Sequence, residues 1–219
     1  NEFLQYKTIL DKEMSRELRS KQAWDSFFMY VMKKAANFSV PGSGKTASVF
    51  GVYAYLSYKK IVDRIVVTGP KNSFTSWIDE FSLCFGNKRK LKLFSIQDYN
   101  QLDYKKNAIL YDSKGKNLLL FNYESLNSIL NEVKQLIDEK TLLVFDEVHK
   151  VKLPDGIRSS NALEISKNSY RTIVMTGTPI PNTYLDIKNM LGILFHDEYN
   201  DYFGFSESLS QSITFITIL

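Results

Sequence analysis

Two short stretches of the 219-residue chain hold residue types suited to phosphate chemistry. The first, SVPGSGKT at residues 39–46, places Gly42, Ser43, Gly44, Lys45 and Thr46 directly after a short apolar run. Glycines let backbone N–H groups approach a crowded anion, and a helix beginning near Lys45 adds the positive end of its dipole. In such a loop Lys45 reaches the β- and γ-phosphates of ATP, and the Thr46 hydroxyl ligates Mg²⁺. The match covers only the second half of the phosphate-loop pattern, because Ser39 stands where that pattern has its first glycine. Alone, the stretch is also compatible with an ordinary turn.

The second stretch, LLVFDEVH at residues 142–149, puts Asp146 and Glu147 at the C-terminal end of an apolar strand. Open α/β sheets bind their ligands at that end. There the first carboxylate can hold Mg²⁺ and the second can orient the attacking water. Paired acids at a strand end are often just a solvated turn, but after a phosphate loop in the same sheet they read as catalytic. A third stretch, MTGTPIPN at 175–182, again follows a strand. Its hydroxyls, Thr176 and Thr178, could sense the γ-phosphate; the alternative is a turn introduced by Thr-Pro.

These residues need a scaffold, and the periodicity supplies one. Trp24, Phe27, Phe28, Val31 and Met32 recur at helical spacing ahead of the loop, and NFSV at 37–40 reads as a short strand. Val49, Val52, Tyr53 and Leu56 mark a helical face after it, followed by the strand RIVVTGP. A helix over 77–85, strands at LKLF (91–94), NLLLFNY (117–123), TLLVF and RTIVM, and a helical stripe from Leu126 to Ile137 continue the alternation. Thr183 and Asp186 fit a capping box for a last helix whose apolar face is Ile187, Met190, Leu191 and Leu194. Residues 97–116 read as a polar surface excursion and residues 150–160 as a loop. Short unbroken strands alternating with amphipathic helices imply an α/β fold: a mainly parallel central sheet with helices on both faces.

Composition narrows the class further. With 44% hydrophobic and 24% charged residues the chain suits one ordinary domain, and its formal charge of +4 permits a polyanionic partner without requiring one. One cysteine excludes an internal disulfide framework and points to a reducing, cytoplasmic-type compartment. Cys84 shares its helical spacing with Trp77, Phe81 and Phe85, which makes it a core residue rather than a nucleophile. No apolar run is long enough for a membrane span. The start without methionine and the closing run SITFITIL suggest an excised part of a larger protein.

Taken together, the motifs resemble the first RecA-like lobe of superfamily-two helicases and translocases, especially the Swi/Snf-type DNA translocases. Leu18, Arg19 and Gln22 match that family's LR..Q segment, and the resemblance implies that Gln22 reads adenine. Gly42, Gly44, Lys45 and Thr46 match motif I, while Asp146, Glu147 and His149 match the DExH box. VVTGPKNSFTSWIDEF is similar to motif Ia through Pro70, Ser73, Trp77 and Glu80. LLFNYESL is similar to a strand ending in Thr-Tyr-Glu, with Asn122 in the threonine's place, and TGTPIPN to TGTPIQN. The family's remodelling branch carries DEMGLGKT where this chain has SVPGSGKT, so a bacterial relative serving defence or repair fits better.

The resemblance implies a RecA-like P-loop NTPase lobe over residues 1–205, with 206–219 beginning the connection to an absent second lobe that holds the arginines of the ATP site. It further implies ATP and Mg²⁺ as cofactors, double-stranded DNA as partner, and coupling of nucleotide to motif III through His149. Family analogy nominates Ser73, Thr75 and the segment near Tyr123 for nucleic acid; helix capping is the plain alternative for the first two. NKRKLK at 87–92 is basic, yet reads as a solvated turn ahead of DNA contact. The alternatives to a duplex translocase are a strand-separating DExH helicase and a nucleotide-gated binding module without turnover.

Overall fold

The computed structural model describes residues 2–151, 156–178 and 185–196. In chain order it builds α1 (Glu2–Glu13), α2 (Ser20–Met32), β1 (Lys34–Asn37), α3 (Lys45–Tyr58), β2 (Arg64–Gly69), α4 (Phe74–Phe85), β3 (Leu93–Ser95) and α5 (Leu102–Tyr111). Then follow β4 (Leu118–Asn122), α6 (Tyr123–Leu136), β5 (Thr141–Phe145), α7 (Ile157–Ser166), β6 (Thr172–Met175) and α8 (Leu185–Leu194). The six strands form one sheet in the order β1-β6-β5-β2-β4-β3, with every pairing parallel.

Alternate strand residues supply opposite faces. Ile65, Val67, Leu118, Leu120, Leu142, Val144 and Ile173 join a core with residues of α1 to α4, while Val66, Leu119, Phe121, Leu143, Phe145 and Val174 join one with residues of α5 to α8. Burial on both faces is why these strands read as unbroken apolar runs. No helix of the described residues is long and apolar enough to cross a membrane.

Local departures from the sequence expectation have physical causes. The strand before the phosphate loop is Lys34–Asn37 rather than NFSV, because the Asn37 side chain accepts the Ser39 N–H at 3.1 Å and turns the chain there. The stripe on α2 marks a helix but not its buried face: Ala23, Ser26 and Met29 are buried, while Trp24 and Phe28 are 55% and 54% exposed. Where α2 meets α3 the inward residue is the small Ser26, and a Cβ at Gly51 would stand 2.4 Å from its Oγ. Covered by α1, α2 and α4, α3 buries far more than one face.

Residues 97–116 contain a helix, α5, which buries only Ala108 and Ile109 and so looked polar throughout. The stretch 150–160 contains the start of α7, whose inner face includes Ser159, Asn161 and Ser166 and hides the apolar period. The first helix, α1, buries just Tyr6 and Leu10. The Thr183 half of the capping box expected for α8, and residues 197–219, lie outside the described residues.

In the basic run at 87–92, Lys88 and Arg89 are tied to the body of the lobe, while Lys90 and Lys92 are exposed as a solvated turn requires. Lys88 Nζ donates to the carbonyls of Asp11 and Met14, satisfying the C-terminal end of α1. Arg89 donates to Ser57 Oγ at 2.6 Å and Glu13 Oε2 at 3.0 Å, and its guanidinium lies over the rings of Tyr53 and Phe85. Arg89→Ala should lower the unfolding free energy by about 2 kcal/mol, because Glu13 loses a charged partner and two rings lose a cation. A urea midpoint equal to wild type would count against this role.

Cys84 is fully buried. Burial, followed by the nearby Glu80 carboxylate, pushes its thiol up to about 12 from an ordinary 9.0. Because the folded value lies above the unfolded one, the stability it contributes is complete below pH 9 and declines as pH rises towards about 12. Urea unfolding across that window should show a shallower alkaline decline in Cys84→Ala than in wild type.

Candidate phosphate-binding site

Parallel pairing brings the strand ends level: Asn37 pairs with Met175, Phe145 with Val174, Thr68 with Phe145 and Gly69 with Asn122. The glycine-rich loop, motif Ia, the NYE stretch, the acidic pair and the TGT turn therefore all leave the sheet at the C-terminal ends of its strands.

The loop after β1 turns through Gly42 at φ 79° and Gly44 at φ 84°, left-handed positions that disfavour a side chain. A Cβ at Gly44 would also stand 2.1 Å from Gln22 Nε2. Gln22 is only 4% exposed and acts as a clamp. Its Oε1 accepts the Arg19 N–H at 3.0 Å, and its Nε2 donates to the Ser43 carbonyl at 2.9 Å. Each end of the amide keeps one further hydrogen-bonding capacity. Lys45 Nζ donates to the carbonyls of Ser39 at 2.9 Å and Val40 at 3.4 Å, so the ammonium closes its own loop. Ser43 Oγ is buried without a partner, and a Cβ at Gly42 would meet nothing within 4 Å. The loop is thus open in front and carries an unspent polar atom, with Thr46 in the first turn of α3 behind it.

Asp146 follows β5 and is 7% exposed. Its N–H donates to the Thr68 carbonyl at 2.8 Å, its Oδ2 accepts the Trp77 indole N–H at 3.0 Å, and its carbonyl accepts the Tyr123 hydroxyl at 2.9 Å. Glu147 adopts φ 49° and ψ 48°, a left-handed conformation costly for a residue with a Cβ. One nitrogen of His149, Nδ1, lies 3.0 Å from Glu147 Oε2 and 2.8 Å from Thr176 Oγ1. Thr176 in turn donates its N–H to the Asn37 carbonyl at 3.2 Å, and its Oγ1 accepts the Thr178 N–H at 3.1 Å. The acidic strand end, the TGT turn and the strand leading into the phosphate loop form one connected set. Gly177 completes it: a Cβ there would stand 2.8 Å from Pro41 Cγ and Cδ.

The residues nominated for nucleic acid leave adjacent strands but differ in exposure. Thr75 is exposed at the start of α4, and Ser73 is half-buried with its hydroxyl donating to the Pro70 carbonyl at 2.9 Å. That bond also differs from helix capping, since the Ser73 side chain takes no N–H of α4. Tyr123 is a correction: its ring is fully buried and its hydroxyl braces Asp146, so its side chain offers nothing to a ligand at the surface. Burial, then the charges of Asp146, Glu147 and Glu124, raises its pKa well above the ordinary value and keeps that hydroxyl a donor. Sequence reasoning gave Trp77 no chemical role; its signal is that a buried indole N–H needs an acceptor. The PIPN part of the third stretch lies outside the described residues.

A parallel α/β lobe with a glycine-rich loop, an acidic strand end and a hydroxyl-bearing turn at the C-terminal ends of its strands has the architecture of the RecA-like fold class. The model of the SNF2-related domain matches residues 39–215, and the chain belongs to that family. It is 28% identical over 163 residues to the SNF2 domain-containing protein ENL1 of Oryza sativa subsp. japonica, covering 70% of this chain and 16% of that protein. It is 29% identical over 173 residues to the ISWI chromatin-remodeling complex ATPase ISW2 of Saccharomyces cerevisiae, covering 78% of this chain and 15% of that protein. Among solved structures, the Sulfolobus solfataricus SWI2/SNF2 ATPase core in complex with dsDNA superimposes with a TM-score of 0.70 at 20% identity, over 91% of this chain and 41% of that one. That likeness establishes the RecA-like fold expected from the sequence.

Contact between the TGT turn and the phosphate loop leaves no room for a side chain. Gly177→Ala should destabilise by about 1–3 kcal/mol, since the proline ring carbons it meets cannot rotate away. Gly192→Ala, whose Cβ would meet only Leu163 at 3.8 Å inside α8, should be neutral or stabilising by up to about 1 kcal/mol. Urea unfolding of the pair checks that opposite sign.

Proposed function

We propose that this chain is the ATP-binding lobe of a nucleic-acid-dependent ATPase that translocates on double-stranded DNA. The observation that carries the reading is the link from Glu147 through His149 to Thr176, next to an Asp146 held by Trp77, beside the open loop of Gly42, Ser43, Gly44 and Lys45. Support comes from relatives named as chromatin-remodelling ATPases and from the similar ATPase core solved with duplex DNA.

The residues fit a triphosphate with its metal. Loop N–H groups, the unpartnered Ser43 hydroxyl and the N-terminal end of α3 receive phosphate oxygens. Lys45 exchanges its bonds to the Ser39 and Val40 carbonyls for the β- and γ-phosphates. Gln22 uses the remaining capacity of its amide to read adenine. Thr46 and Asp146 hold Mg²⁺, which when bound supplies charge neutralisation on the phosphate oxygens. Among the described residues no group of three or more His, Cys, Asp or Glu could hold a metal ion, so the remaining ligands come from nucleotide and water.

Glu147 orients the attacking water. His149 ties that carboxylate to Thr176, so the state of the γ-phosphate reaches the TGT turn through a single ring nitrogen. Thr75 and Ser73 at the start of α4 face the DNA backbone. A second lobe supplies the arginines of the site, whose absence costs on the order of 10³ to 10⁵ in rate; the lobe alone binds ATP and turns it over poorly.

In the full-length protein, duplex DNA should stimulate ATP hydrolysis, and both Lys45→Ala and Glu147→Gln should reduce kcat by at least about 10²-fold. Stimulation by single strands or RNA alone would identify a helicase instead. Hydrolysis at equal rates in wild type and Lys45→Ala would remove the enzyme reading altogether.

A further inference from the structure

The orientation of the Asp146 carboxylate is set from outside its own strand. The backbone of Asp146 is pinned by the Thr68 carbonyl in β2 and by the Tyr123 hydroxyl in α6. Gly69 packs so closely that a Cβ there would stand 3.0 Å from the Asp146 Cβ. These contacts fix where the side chain starts, but not how its carboxylate is turned. That is decided by the buried bond from Trp77 Nε1 on α4 to Oδ2 at 3.0 Å. The indole itself is held in place: it is 1% exposed and meets Phe50 edge to face at a centroid distance of 5.3 Å.

We propose that Trp77 is a positioning residue for the metal site, holding Oδ2 of Asp146 so that Oδ1 is presented to the Mg²⁺ of a bound nucleotide. The inference rests on the nucleotide-site reading above. Mg²⁺ demands near-octahedral geometry at about 2.0–2.1 Å, so a carboxylate free to rotate is a poorer ligand than one already aimed. Hydrogen bonds to the outer atom of a metal ligand are worth about 10- to 100-fold in affinity. An indole suits that task because its N–H only donates and cannot itself compete for the metal. Its apolar body also packs α4 onto the core, so the packing and the hydrogen bond are separable by chemistry.

The test is ATP binding by the 219-residue chain, measured calorimetrically in EDTA and across a Mg²⁺ series. Two variants remove the N–H: Trp77→Phe, and benzothienylalanine at position 77 in a Trp24→Phe background, which keeps the bicyclic shape and replaces N–H by sulfur. Trp24 and Trp77 are the only tryptophans of the chain, so that background confines the analogue to one site. Both variants should need about tenfold more Mg²⁺ for half-maximal enhancement of ATP affinity, with affinity in EDTA unchanged. An unaltered Mg²⁺ requirement in the sulfur analogue overturns the proposal, whatever the stability of Trp77→Phe. So does an equal loss of affinity with and without Mg²⁺, which would mark a packing role alone. Wild-type ATP binding that Lys45→Ala leaves intact, or no binding at all, overturns the nucleotide-site reading and this inference with it.

Discussion

A parallel sheet buried on both faces leaves polar chemistry only at its ends, and the rest of this molecule follows from that restriction. The two helical layers, α1 to α4 and α5 to α8, cover the apolar faces of the sheet. Parallel pairing in register then brings the ends of β1, β6, β5, β2 and β4 to one level. The chain must change direction at each end, and the residues that make those turns are the ones proposed to hold a nucleotide. Phosphate loop, acidic pair and TGT turn become neighbours although 100 residues separate Thr46 from Asp146 in the chain.

Within that edge, polar groups are satisfied by one another across elements. Gln22 links α2 to the phosphate loop, His149 links the acidic turn to Thr176, and Trp77 and Tyr123 hold Asp146 from α4 and α6. Such bonds carry more weight where water is excluded, and they make each motif sensitive to displacement of another. Close approach is part of the same design. Glycine stands at positions 44, 69 and 177 where a Cβ would press on Gln22, Asp146 and Pro41. The left-handed backbone of Glu147 is a costly conformation held at the same end of the sheet.

The periphery is built on other terms. Arg89 and Lys88 draw α1 against the body of the lobe through a guanidinium between rings and an ammonium on helix-end carbonyls. On the outer side of α2, Phe3 stacks on Trp24 at 3.8 Å while small residues make the inward contact. At its contact with Gly51 the helix presents Ser26, while Gln22 and Met29 are buried on the same helix.

What the sequence determined by itself was the alternation of strand and helix, the parallel sheet and which motifs stand at the ends of its strands. Unbroken apolar runs of three or four residues within strands are satisfied by burial on both faces. Glycines beside a lysine, and acids closing such a run, are local patterns that need no partner to be recognised. The tertiary structure decided everything that depends on contacts between distant segments. Helices α1, α5 and α7 bury too few apolar residues to show a period, so packing alone reveals them. Tyr123 moved from the surface to the core, and Arg89 from solvent to a bridge, because partners far along the chain set both roles. The turn of the Asp146 carboxylate was beyond reach for the same reason: the indole that fixes it lies 69 residues away in sequence and one hydrogen bond away in space.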